Sequence, residues 1–77
     1  MLIIMVIMNN LLTFEEALSA LREGKYVGIE NHLCYFEPMI NNGQLLGIIV
    51  HDEEGDEYNC EEFHIDEVLA TNWIVIE

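Results

Sequence analysis

A single segment of this chain carries a full set of helix signals, and it divides the sequence into two regimes. Thr13-Phe14-Glu15-Glu16 has the form of a capping box, with Thr13 as N-cap and Glu16 placed to reach back to the N-cap amide. Phe14, Ala17, Leu18 and Leu21 recur at helical spacing and form one apolar stripe. Glu15 and Glu16 lie at the positive end of the helix dipole and Arg22 near its negative end. Gly24 supplies the left-handed residue that stops the helix. The pattern predicts a helix over 14–23. Such a stripe must be buried against another element, and most of the chain beyond Gly24 reads as β-structure.

Residues 25–30 alternate, with Val27 and Ile29 on one side. Residues 33–37 are aromatic and β-favouring, and Pro38 has no ladder donor. That strand is therefore expected at a sheet edge, or to end there. Asn42-Gly43 signals a type I′ hairpin turn. The run Leu45, Leu46, Ile48, Ile49, Val50 predicts a central strand over 44–51, covered on both faces. Residues 52–56, with Gly55, read as a turn, and 57–60 as a short returning strand. One or two helical turns are expected over 65–70, with Asp66 near their start. The closing strand, 72–77, is built around Trp73, Val75 and Ile76. The expected fold class is α+β: one helix in the N-terminal half, packed on a small, mainly antiparallel β-sheet. No internal repeat or linker interrupts it, so 1–77 reads as a single domain.

A chain of 77 residues buries a modest core. Cys34 and Cys60 allow at most one disulfide, and no secretory signal accompanies them, so free thiols in a reducing cytoplasm are expected. Self-association is the remaining common remedy, and a homo-oligomer is expected. The first eight residues are all apolar. They fall short of the roughly 20 residues of a membrane span. They also lack the basic flank and cleavage site of a signal peptide. Residues 1–11 read as an apolar strand, or as an extension ahead of a later start at Met5 or Met8.

Charge restricts the partners. Two basic residues against fifteen acidic ones give a net charge of −13. Such a chain cannot neutralise a phosphate backbone, which excludes direct nucleic-acid binding and anionic membrane surfaces. With 52% hydrophobic residues it is no disordered acidic tail either. Nine of the sixteen residues from Asp52 to Glu67 are carboxylates, with no Lys or Arg among them: Asp52, Glu53, Glu54, Asp56, Glu57, Glu61, Glu62, Asp66 and Glu67. A solvated, solubilising face is one meaning of such a run. The other is a surface that imitates the charge of DNA. Like charges held together repel, and a basic groove on another protein relieves that repulsion and steers the encounter.

The other chemistries fail on spacing. Counted from Asp52, an EF-hand loop needs Gly at the sixth position and Glu at the twelfth, where this chain has Glu57 and Phe63. His32-x-Cys34 and Cys60-x-x-x-His64 do not match zinc-finger spacing, so no metal is expected. Neither Cys has the cationic neighbour or helix N-terminus that activates a thiol. No enzyme and no cofactor are expected.

Two stretches together carry a resemblance. One is Leu12-Thr13-Phe14-Glu15-Glu16-Ala17-Leu18, continuing to Leu21 and Gly24-Lys25. The other runs from Phe63-His64-Ile65 through Leu69-Ala70-Thr71-Asn72-Trp73-Ile74-Val75-Ile76-Glu77. In that order they resemble a family of small bacteriophage proteins that includes the second type of Thoeris anti-defence protein, an oligomeric sponge for a cyclic ADP-ribose signal. Where the family carries Arg and Trp after Gly-Lys, this chain reads Tyr26-Val27-Gly28-Ile29-Glu30-Asn31-His32. The resemblance implies phage-type counter-defence. The acidic run adds the form expected here: an inhibitor that binds a host defence or nucleic-acid-handling protein with a basic groove. The alternative implied is an oligomeric sponge for a cyclic nucleotide, with Lys25, Tyr26 and Trp73 lining a pocket between subunits.

Overall fold

The computed structural model describes residues 11–76. The strand or extension expected over 1–11 lies outside them, apart from Leu11. Helix α1 (Phe14–Arg22) is capped as its sequence requires. Thr13 N–H donates to Glu16 Oε1 at 2.9 Å, and Glu16 N–H donates to Thr13 Oγ1 at 3.2 Å. The helix ends one residue earlier than expected, because Glu23 is the C-cap. Gly24, at φ +88°, donates to the Leu21 carbonyl at 2.9 Å, and Lys25 donates to that of Ala20 at 3.0 Å. This paired closure is a Schellman motif.

Five strands follow: β1 (Tyr26–Ile29), β2 (Tyr35–Asn41), β3 (Gln44–His51), β4 (Glu57–Asn59) and β5 (Trp73–Ile76). A short helix, α2 (Ile65–Leu69), joins β4 to β5. The sheet is antiparallel throughout, in the order β4-β3-β2-β1-β5, and the fold is α+β. Leu12 bridges the outer strand β5 through two bonds with Trp73, at 2.8 and 3.0 Å. Asn42 and Gly43 both have positive φ, +54° and +79°, as a type I′ turn demands.

Directly paired residues share a sheet face. The register therefore draws one row across all five strands: Val75, Val27, Phe36, Val50 and Tyr58. Ala17, Ala20 and Leu21 of α1 are buried in the same core as Val27, Phe36 and Val50. The two alanines let the helix approach the sheet closely. Trp73 is fully enclosed, with Phe14, Phe36 and Phe63 around it at ring-centre distances of 5.7, 5.4 and 6.2 Å.

Two strand expectations need correction. The strand bearing Pro38 is the middle one, and it runs on to Asn41. Pro38 is tolerated because β1 pairs with β2 only at Gly28↔Tyr35 and Val27↔Phe36. Beyond that point β2 is locally an edge. β3 lies between two strands but is not covered on both faces: only Val50 is buried, and Leu46 is 61% exposed. One helix of nine residues is too short to cover a five-stranded sheet, and its apolar stripe serves a single face.

Candidate protein-binding surface

The carboxylates between Asp52 and Glu67 begin at the sheet edge formed by β4 and leave it with α2, which contacts α1. They run from the β3–β4 turn, along the strand, through the next loop and onto α2. The structure divides them into two groups. Asp52 is a turn-former: its Oδ1 accepts from Glu54 N–H at 3.0 Å and Asp56 N–H at 2.9 Å, while Gly55 turns the chain at φ +90°. Glu67 Oε1 caps α2 by accepting His64 N–H at 2.7 Å, and its carbonyl takes the Trp73 indole N–H at 2.9 Å. Glu57 Oε2 stands 3.8 Å from His51 Nδ1. The others, Glu53, Glu54, Asp56, Glu61, Glu62 and Asp66, are exposed and form no ion pair among the described residues.

Cations are remote. Lys25 stands at the head of β1, three strand positions or about 14 Å from β4. It is paired with Glu23 at 3.2 Å. Apolar side chains lie among the acids instead. Ile65, Val68 and Leu69 share one stripe of α2, and all three are exposed. Tyr58 on β4 is half exposed as well.

Behind β4 lies a groove of ≈ 600 Å³. Phe36 and Val50 line it from the sheet, Tyr58 and Cys60 from the edge, and Glu61, Glu62 and Glu67 from the loop and α2. Burial pushes the Cys60 thiol up, and the nearby Glu67 charge adds to this, so it stays protonated and unreactive. Burial also raises the Tyr58 phenol, aided by the Asp52 charge. Both groups are neutral at physiological pH; Glu61, Glu62 and Glu67 bring carboxylates to the groove, which Cys34 and His64 also line. No three His, Cys, Asp or Glu side chains among the described residues converge closely enough to hold a metal ion.

Lys25, Tyr26 and Trp73 are not brought together. Tyr26 pairs with Ile76 at one end of the β1–β5 ladder, and Trp73 pairs with Ile29 at the other. Trp73 is 0% exposed and presents no surface to a ligand. It serves as the centre of the aromatic core. Within one chain these three residues therefore form no common pocket.

No protein-family model and no curated protein matches the chain.

The helix-free face of the sheet holds a second polar group that the sequence reading missed. Tyr35 stacks on His51 at 4.5 Å with planes 5° apart, and Tyr26 stacks on Tyr35 at 6.1 Å. His51 Nε2 lies 2.8 Å from Glu37 Oε1. Hydrogen bonding to His51, and then to Tyr26, holds the Glu37 carboxyl below the usual carboxylate range. Bonding to Glu37 in turn raises the Tyr26 phenol. The signal for this group was the register: Tyr35↔His51 across β2 and β3, with Glu37 two residues along the same face.

Proposed function

We propose that this chain is a non-enzymatic inhibitor that docks its acidic β4–α2 edge into a basic groove of a host defence or nucleic-acid-handling protein. The observation that carries the proposal is the set of six exposed carboxylates, unpaired among the described residues, that run from the β3–β4 turn through the loop after β4 to the first turn of α2. Solubility does not require so many acids in one stretch. The exposed Ile65, Val68 and Leu69 amid this charge match the usual composition of an interface, an apolar centre with a polar rim. The likeness of the chain's two ends to small bacteriophage proteins supplies the counter-defence setting, in the host cytoplasm. Self-association belongs to the same proposal, and light scattering on the purified chain measures it. Among the described residues no helix is long and apolar enough to cross a membrane.

Affinity purification from the host tests the proposal, with two baits compared. One is the natural chain. The other carries Glu53→Lys, Glu54→Lys, Glu61→Lys and Glu62→Lys, which spares Asp52, Glu57 and Glu67. A specific partner should be held by the first bait, be released by added salt and be lost from the second. Equal capture by both baits would sink the proposal.

A further inference from the structure

We infer that the partner contributes an extended, arginine-bearing segment, which adds a strand to the free edge of β4 and seats a guanidinium in the groove behind it. The inference deepens the acidic-edge proposal and rests on it. Among the described residues β4 is an outer strand of the sheet, paired on one side only. Cys60 N–H donates inward to Ile48 at 2.8 Å, and Asp52 N–H donates to the Asp56 carbonyl at 3.0 Å. In an antiparallel ladder inward-bonded residues alternate, so Asp56, Tyr58 and Cys60 face β3. The N–H and C=O groups of Glu57 and Asn59 therefore point to the open edge. Their two-residue spacing is that of the bonds an added strand makes.

The same register places the incoming side chains. A residue paired opposite Tyr58 falls on the face of Tyr58, Val50 and Phe36, which is the face of the groove. Phe36 and Val50 offer apolar surface to a methylene stem. Tyr58 offers an aromatic ring to a cation. Glu61 and Glu62 offer carboxylates to a guanidinium fork. A second copy of this chain is a poor occupant, since pairing two β4 edges brings Glu57, Glu61 and Glu62 of both copies together without a cation. Charge complementarity selects a basic partner strand instead.

The test uses the isotope-labelled full chain and the blocked peptide acetyl-Val-Arg-Val-Arg-Val-amide, followed by amide NMR. Binding should shift the amides of Glu57, Asn59 and Glu61 and slow hydrogen exchange at Glu57 and Asn59. The same peptide with citrulline for arginine should bind about tenfold more weakly, having lost its charge. Asn59→Pro deletes an outward N–H while leaving the inward bonds of Tyr58 and Cys60, and it should also weaken binding about tenfold. If that variant loses β4, Glu61→Gln with Glu62→Gln replaces it, and should reduce binding of the arginine peptide to the level of the citrulline one. Equal affinity for the two peptides, or shifts spread over all the acids without slowed exchange, would overturn the inference. Should the peptide fail while the charge-reversed bait still loses its partner, the strand model falls and the acidic edge stands. Failure of both experiments removes both.

Discussion

At position 73 an indole fills the space among Phe14, Phe36 and Phe63, and its N–H ties the loop after α2 to that core. Trp73→Ala should therefore cost about 3–5 kcal/mol, read from urea unfolding followed by circular dichroism. A loss below about 1 kcal/mol would mean the indole is not the core's centre. Glu37 makes a prediction about pH. Its carboxyl is held low by His51 and Tyr26, so the folded state favours the ionised form. That contribution is fully present above the ordinary carboxylate pKa of about 4.3, and is lost as pH falls through the lowered folded value. The stability gap between the natural chain and Glu37→Gln should accordingly narrow between about pH 5 and pH 3. A gap that stays constant would refute the assignment. Trp73 was visible as a marked residue in the sequence, but its role was not. Burial depends on what Phe14 and Phe36, remote in the chain, bring to it.

Elements whose cause is local were legible. The Thr13 box, the Gly24 stop and the Asn42-Gly43 turn involve residues a few positions apart, and each formed as read. Thr13→Ala should cost about 1 kcal/mol by thermal unfolding, through the loss of one cap. The β3–β4 turn adds a finer test, because Asp52 holds two amides while its neighbour Glu53 holds none among the described residues. Asp52→Ala should cost about 1 kcal/mol. Asp52→Asn keeps the acceptor oxygen and should cost less, and Glu53→Lys should stay within about 0.5 kcal/mol. Equal effects at positions 52 and 53 would contradict the division of the acidic run into turn-forming and free carboxylates. Pro38 and the Leu45–Val50 run were misread for a shared reason. Whether a strand is central, an edge or covered depends on the length and place of its neighbours, which a local window does not contain.

Across the whole molecule, like charges repel one another. A net charge of −13 on one small domain, with two basic residues to offset it, opposes compaction. Salt screens this, so the melting temperature should rise as ionic strength increases from about 0.02 to 0.3 M. The Glu53, Glu54, Glu61 and Glu62 charge-reversed chain should show a weaker rise. A melting temperature indifferent to salt in the natural chain would mean the acids are too dispersed to act together, and would also weaken the docking proposal. The helix-free face bears on assembly at this scale, since α1 covers one side of the sheet and leaves Tyr26, Met39 and Ile76 partly exposed on the other.

By itself the sequence determined the helix and its caps, the turns, the α+β class and the sign of the chain's own charge. These follow from backbone chemistry and charge, which act over a few residues or over composition as a whole. Only the tertiary structure decided that Trp73 is core, that Asp52 and Glu67 are structural while Glu61 and Glu62 are unpaired among the described residues, and that among those residues β4 is an outer strand beside a groove. Strand order and burial arise from contacts between residues far apart in the chain, and no local pattern encodes which of two similar carboxylates will find an amide to bind.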